Sequence, residues 1–293
     1  MSRPDVSAVI PVYNREGLIA RAIDSVLGQT DLRVECIVVD DGSTDGTAEV
    51  LAGYGDRIVA LTQENAGRSA ARNRGLQEAR ADHVAFLDSD DAWLPQKCAT
   101  QLAALTSDPA RILSGHGILV AHEDGREEAK APRVSQAELS EAPYESIMDR
   151  FFLFPSVMMV RTEEARAVEG FSTEYHGAED LDFALKLARR GGVGVMSECL
   201  TRMYQHGGQT SRRQLAGENV RVLTHHLEQL ELSPALREKL TRKIARYTLS
   251  VAKRAASREE LIQLLDEAVR LDGGCRRRGT YWRLRWKSRF GRI

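Results

Sequence analysis

The 293-residue chain has no run of about 18 apolar residues, so no stretch is expected to cross a bilayer as a helix. Its four cysteines, Cys36, Cys98, Cys199 and Cys275, show no CxxC spacing and no paired framework. They read as free thiols of a reducing compartment, which fits the cytoplasm. The opening Met1, Ser2, Arg3, Pro4 and Asp5 lead straight into strand-like sequence without the apolar core of a signal peptide. Internal repeats and low-complexity segments are also missing. From Cys275 onward there is no Asp or Glu, although Arg and Lys abound, so the net charge of -1 hides a basic tail on a mildly acidic body. What is present, 42% hydrophobic and 28% charged residues, is ordinary for a globular protein long enough to bury a full core.

Residues 6–11 form a short apolar run, followed by a polar turn at Asn14 and a helical pattern that turns Leu18, Ile19, Ala22, Ile23, Val26 and Leu27 inward. A second strand, 34–39, ends in D-D-G-S-T-D-G-T, which carries helix-start signals. A third strand at 58–61, a helix at 67–79 and a strand ending at Asp88 continue the alternation. Such alternation predicts an α/β fold with a doubly wound, mostly parallel sheet. Ligands of such sheets sit outside the carboxyl ends of the strands. Polar residues collect at those ends: Tyr13 and Asn14, Asp40 and Asp41, Asn65, then Asp88, Asp90 and Asp91.

Further on, the pattern predicts a helix at 96–105, a strand at 112–121 and a charged, irregular loop at 122–140. A strand or buried turn follows at 151–160, a helix at 179–190 stopped by Gly191 and Gly192, and two short strands at 193–196 and 200–204. From about residue 215 only helical periodicity remains, at 220–230, 234–253 and 258–271. The expected organisation is a domain over 1–215 and a helical extension over 216–293.

The stretch V-A-F-L-D-S-D-D, residues 84–91, delivers three carboxylates within four residues. Like charges so close repel unless a cation sits between them, and Mg²⁺ or Mn²⁺ suits carboxylates that share the metal with a phosphate. A solvated acidic turn is the alternative. Arg68, Arg72 and Asn73 fall on the first turns of a helix after Gly67, a place for phosphate or a ribose edge. Arg72 reads equally well as an internal anchor to Asp88 or Asp90.

Five motifs stand in order: V-S-A-V-I-P-V-Y-N, V-V-D-D-G-S-T-D-G-T, N-A-G-R-S-A-A-R-N-R-G, F-L-D-S-D-D and G-A-E-D-L-D-F-A-L-K-L-A-R-R-G. Together they resemble family 2 of the inverting glycosyltransferases, with the nucleotide-diphosphosugar (GT-A) fold, in its bacterial cell-surface polysaccharide type. The resemblance covers roughly residues 5–210 and leaves the helical extension outside. It implies metal-assisted transfer of a sugar from a nucleotide-diphosphosugar, a UDP-sugar first, to a hydroxyl of a glycan or lipid-linked glycan. The donor would meet Pro11, Tyr13, Asn14, Asp41, Gly67, Arg68, Arg72, Asp88, Ser89 and Asp90. Tyr13 would stack on the base and Asp41 accept from a uracil-like imide; otherwise Tyr13 is a core aromatic and Asp40 and Asp41 are turn residues. A divalent metal, Mn²⁺ or Mg²⁺, would be held by Asp90, Asp91 and His206.

The acceptor hydroxyl needs a general base, and the pair Glu179 and Asp180 at a helix start resembles the family's catalytic pair, with Asp180 as base and Asp182 behind it. A carboxylate there also suits a helix N-terminus, which is the structural alternative. His176 falls near the acceptor side or on the surface, His225 and His226 carry no chemistry, and Phe154, Pro155 and Ser156 are candidates for the sugar pocket. A sugar nucleotidyltransferase would want a Gly-rich phosphate loop after the first strand, where P-V-Y-N-R-E-G stands instead. A non-catalytic nucleotide-sugar-binding scaffold is the other rival, and the full set of carboxylates argues against it.

The tail is a separate signal. A helix from Arg276 would put Trp282, Trp286, Phe290 and Ile293 along one side, with Arg283, Arg285, Lys287, Arg289 and Arg292 around them. That pattern fits a cytoplasmic protein lying peripherally on the anionic inner face of a membrane. Packing of the tryptophans on the domain is the alternative. Nucleic acid is not expected, because the body has no supporting motif.

Overall fold

The β-branched run after Asp5 forms β1 (Val6–Val12), which is buried along its whole length. The computed structural model describes residues 3–205 and 212–290. After β1 come α1 (Ile19–Leu27), β2 (Val34–Asp40), α2 (Thr47–Ala52), β3 (Val59–Thr62), α3 (Arg68–Glu78) and β4 (His83–Phe86). Strand and helix alternate here as the periodicity predicts. β2 and β4 flank β1 and β3 lies outside β2, all in parallel. Pro11 survives in this central strand for a geometric reason. The Val9 carbonyl accepts from Leu87 on the β4 side, and Pro11, two residues on, faces the same side beyond Val9, the last residue paired with β4.

The sheet continues with β5 (Ala92–Trp93), α4 (Lys97–Thr106), β6 (Arg111–Ala121) and β7 (Glu127–Lys130). Next are α5 (Gln136–Glu141), α6 (Pro143–Asp149), β8 (Met159–Arg161), α7 (Thr162–Ala167), α8 (Glu179–Ala188) and β9 (Gly192–Tyr204). Strand order is β3-β2-β1-β4-β8-β6-β9-β5, with β7 attached to β6. β8 runs antiparallel to β4 and β6, whereas β9 runs parallel to β6. The α/β class and the helical C-terminal region expected from the sequence are both there.

Two local expectations change. The loop expected at 122–140 contains the exposed strand β7 and the helix α5. All of β7 is polar or small and solvent-facing, so it has no apolar alternation to read; it exists because β6 offers a ladder from Ile118 to Ala121. The α5 signal was legible: Ser135 and Glu138 form a reciprocal capping box. The two short strands expected at 193–204 are one strand, β9, carried through its polar middle by register shifts against Gly115 and Gly117.

One face of the sheet buries Val6, Ala8, Ile10 and Val12 against Ala22, Ile23 and Val26 of α1 and against Cys98 and Leu105 of α4. The opposite face is so close to α3 that a Cβ on Gly75 would stand 2.4 Å from Val9 Cγ1. Phe86 meets Phe171 and Phe183 edge-on at 4.9 and 6.0 Å, and Phe171 stacks on Phe183 at 4.2 Å.

Met1–Thr173 and Phe183–Gly207 make up one compact unit, Glu174–Asp182 and Gly208–Ile293 the other. The second unit holds α9 (Arg212–Gln229), α10 (Pro234–Ala252), α11 (Arg258–Leu271) and α12 (Gly279–Phe290). Ser233 caps α10 ahead of Pro234, and Ser257 caps α11. Leu249, Leu261, Leu265, Cys275, Tyr281 and Leu284 share its core. The segment 174–182, which local sequence assigns to the first domain, joins this unit. His176 donates its backbone N–H to the Glu218 carboxylate at 3.0 Å, and His226 Nε2 lies 3.0 Å from Asp182 Oδ1 in a buried pair. Among the described residues, no helix is long and apolar enough to cross a membrane.

Candidate active-site cleft

Beyond the carboxyl ends of β1, β2 and β4 lies a cleft of about 650 Å³. Pro11, Tyr13, Asn14, Asp41, Gly67, Arg68, Arg72, Asp88, Ser89 and Asp90 all line it, which brings together every position expected to meet a donor. Val12, Arg15 and Asn65 complete the wall. Tyr13 is 45% exposed, so its ring is a cleft surface and not a core aromatic. Asn14 adopts a left-handed φ of 50°, which its short amide tolerates, and this turns the chain sharply after β1. The Asn14 Oδ1 accepts from the Thr44 N–H at 2.7 Å and its own N–H donates to Ser43 Oγ at 2.9 Å, tying the first loop to the second.

The two aspartates that end β2 divide their tasks. Asp40 Oδ1 accepts from the Ser43 N–H at 2.9 Å, an Asx turn serving its own loop. Asp41 faces the next loop: Oδ1 accepts from Gln63 Nε2 at 2.8 Å and Ala66 N–H at 2.9 Å, and Oδ2 from Gly67 N–H at 2.8 Å. These bonds fix the carboxylate's orientation at the wall. Directly after Asp41, Gly42 holds φ at 78°, and a Cβ there would come 3.0 Å from the Asn65 backbone nitrogen.

The acidic run after β4 is split by burial. Arg72, 2% exposed, donates to Asp88 Oδ1 at 2.6 Å and places its guanidinium 5.1 Å from the Phe171 ring centre. It is therefore the internal anchor that was one of its two expected roles, while also lining the cleft. Ser156 Oγ accepts from the Asp88 N–H at 3.1 Å and donates to Asp91 Oδ2 at 2.6 Å. The Ser156 carbonyl is held in turn by Trp93 Nε1 and Thr201 Oγ1, each at 2.8 Å.

Asp91 is only 4% exposed and is absent from the cleft wall. Burial, followed by the nearby Asp88 charge, pushes its carboxyl well above the ordinary range, with Ser156 pulling the other way. Its Oδ2 is thus engaged by an internal hydrogen bond, and the side chain stands behind the wall that Asp90 lines. Asp90 lines the cleft, and its carbonyl accepts from Arg21 Nη2 at 2.7 Å, with Arg21 stacked 3.5 Å over the Tyr204 ring. Among the described residues, no cluster of three or more His, Cys, Asp or Glu side chains stands ready to hold a metal ion. Two carboxylates bordering one cleft still fit a hard cation, which needs only one or two of them when a diphosphate supplies further oxygens. His206 lies outside the described residues.

Glu179, Asp180 and Asp182 form the first turn of α8, where acidic side chains complement the helix dipole. Glu179 is 3% exposed, Asp180 is half-buried, and Asp180 Oδ1 accepts from the Leu181 N–H at 2.8 Å. One oxygen of the expected base thus already accepts from the backbone of its own helix. The exposed His176 belongs to the second unit, and Phe154, Pro155 and Ser156 are not on the cleft wall.

A family profile described as Glycosyl transferase family 2 matches residues 7–159, a little over half of the chain, and spans every strand that frames the cleft. The chain belongs to glycosyltransferase family 2. Among its curated relatives, EpsE of Bacillus subtilis (strain 168), named as a glycosyltransferase, is 30% identical over 221 residues, 72% of this chain and 77% of EpsE. TuaG of the same organism, named for teichuronic acid biosynthesis, is 44% identical over 104 residues, 34% of this chain and 41% of TuaG. GlyA of Streptococcus pneumoniae serotype 4 is 43% identical over 94 residues, 31% of this chain and 13% of GlyA. The match therefore spans less than half the length of TuaG and GlyA.

Solved structures give this family 2 chain its fold. S. aureus TarS 1-349 in complex with UDP-GlcNAc superposes with a TM-score of 0.69 at 20% identity, covering 99% of this chain and 93% of TarS 1-349. The mannosyltransferase PcManGT from Pyrobaculum calidifontis, in complex with GDP-Man and Mn²⁺, gives 0.61 at 18% identity over 100% and 89% of the two chains.

Sequence reasoning missed the joint made by Ser156, whose partners Asp88 and Asp91 lie 68 and 65 residues away. It also dismissed His226, which pairs with Asp182 from 44 residues away. No local pattern marks either contact, because both depend on which elements pack together.

Proposed function

We propose that this protein is a metal-assisted, inverting glycosyltransferase that moves a sugar from a nucleotide-diphosphosugar, with a UDP-sugar the first candidate, to a hydroxyl of a glycan or lipid-linked glycan. The observation that carries this reading is the cleft, where ten residues from four separate motifs converge at the carboxyl ends of three parallel strands. Tyr13 offers the base a flat face. Asp41, held by three hydrogen bonds, is oriented to accept from an imide N–H through the remaining capacity of Oδ2. Arg68 at the N-terminus of α3 supplies positive charge for the diphosphate, and Asp88, steadied by Arg72, suits the ribose hydroxyls. Asp90 and His206 are assigned to a divalent cation, Mn²⁺ or Mg²⁺, with Asp91 kept as the internal anchor of the acidic loop. When bound, that cation would supply Lewis-acid stabilisation of the departing diphosphate.

Asp180 is assigned as the base, with Glu179 beside it. It takes the proton from the acceptor hydroxyl as the new oxygen–carbon bond forms at the anomeric centre and the bond to the β-phosphate oxygen breaks. A single displacement of this kind inverts the configuration. The naming of TuaG for teichuronic acid biosynthesis and the UDP-GlcNAc bound to TarS support a cell-surface polysaccharide acceptor and a UDP donor.

The test uses the full chain with Mn²⁺ or Mg²⁺ and a panel of UDP-, GDP- and dTDP-sugars, following both donor binding and free nucleotide. One donor should bind and slowly release nucleotide, and Asp180→Asn should keep the binding while losing transfer. Turnover retained in Asp180→Asn would move the base elsewhere. Failure of every donor to bind would remove the donor assignment itself.

A further inference from the structure

Helix α12 has two apolar sides. Tyr281, Leu284 and Ser288 are 6%, 6% and 2% exposed and pack within the helical unit. Trp282 and Trp286 are 60% and 64% exposed. At about 100° per residue, these two indoles share one stripe on the side of the helix away from the buried residues. Two large exposed aromatics one turn apart form the kind of patch that marks an interaction surface. Trp282 meets the buried Tyr281 edge-on at 5.4 Å, so one indole is braced from below.

Charge completes the surface. Arg283 and Arg289 are exposed on either side of the indole stripe, and Arg276, Arg277 and Arg278 are exposed just before the helix. Eight Arg and Lys residues and not one Asp or Glu follow Asp272.

We propose that this face of α12 docks on the surface of an anionic phospholipid bilayer. Indole rings gain most at the boundary between acyl chains and headgroups, where the ring is dehydrated and its N–H stays wet. Guanidinium groups on the flanks reach lipid phosphates. A convex helix presenting two indoles side by side suits a planar partner, whereas single-stranded nucleic acid is held in a basic groove that stacks successive bases. The inference stands on α12 alone and does not depend on the transfer reaction.

The experiment uses the full chain and vesicles of phosphatidylcholine with a third phosphatidylglycerol, against phosphatidylcholine alone, read by flotation and tryptophan emission. Trp93 is 3% exposed, so a blue shift reports Trp282 and Trp286. Binding to the anionic vesicles is expected, weakening as salt rises from about 0.1 to about 0.5 M. The double variant Trp282→Ala/Trp286→Ala should lose at least about tenfold in partition with its thermal melt unchanged, since both side chains are mostly solvent-exposed. Arg283→Gln/Arg289→Gln should flatten the salt dependence. No partition into the anionic vesicles, or equal partition of the double tryptophan variant, would overturn the proposal. So would single-stranded RNA binding at a salt concentration where the vesicles are left free.

Discussion

Lys97 is completely buried, its ammonium 3.7 Å from the Trp93 ring centre and 3.5 Å from the Met158 carbonyl. Burial pulls its pKa down to about 8, while an unfolded lysine titrates near 10.4. Between those values the unfolded chain holds a proton that the folded chain has released. Stability contributed by this group therefore rises with pH across that window and is at its poorest below it. We expect Lys97→Met to be more stable than the parent near neutral pH, with the gap shrinking by on the order of 3 kcal/mol toward pH ~10.5. Thermal melts of both proteins over that range measure it, and a gap independent of pH would contradict the assignment. At the same scale, the Asp88, Asp90 and Asp91 cluster was legible as chemistry, but its division of labour was not. Sequence shows three equal carboxylates; Ser156, arriving from the turn just before β8, decides that Asp91 turns inward.

Helix packing turns on single glycines. Alanine normally favours a helix over glycine by about 1 kcal/mol, so any helical glycine is a candidate for gain. At Gly75 the new methyl would stand 2.4 Å from Val9 Cγ1, on a β-branched side chain in the central strand with little freedom to move. Overpacking wins there, and Gly75→Ala should lower stability by about 1–3 kcal/mol. Gly217, within α9, has nothing within 4 Å of its added carbon, so Gly217→Ala should raise stability by up to about 1 kcal/mol. Denaturant melts of the pair test the contrast, and equal effects would refute it. The longer helices, α10 and α11 among them, were readable from periodicity, whereas the short helices α5, α6 and α7 were not expected. β7 was not readable, since its only warrant is the neighbouring edge of β6.

For the whole molecule, ligand binding should report as stability. A nucleotide that binds only the folded chain adds about 2.7 kcal/mol at a hundredfold excess over its Kd. For a protein of 293 residues that is roughly 4–5 °C in Tm. We expect UDP with Mn²⁺ to raise the Tm by such an amount, and a chelator to remove most of the gain. A Tm indifferent to UDP with and without metal would count against the donor cleft.

The order of strands and helices, the family motifs and the convergence of polar residues at strand ends follow from periodicity and spacing, which are local and written along the chain. The carboxyl ends of β1, β2 and β4 meet because parallel pairing forces them to, so the place of the cleft could be named in advance, while the full set of its donor residues came from the resemblance to the family. The tertiary structure alone decided which oxygens are already spoken for. Asp40 serves its loop, Asp91 turns to Ser156, and Asp182 pairs with His226. It also decided that Trp282 and Trp286 face solvent while Tyr281 and Leu284 pack inward. The physical reason is that burial and hydrogen-bond partnership depend on residues tens of positions away, and no local pattern carries that information.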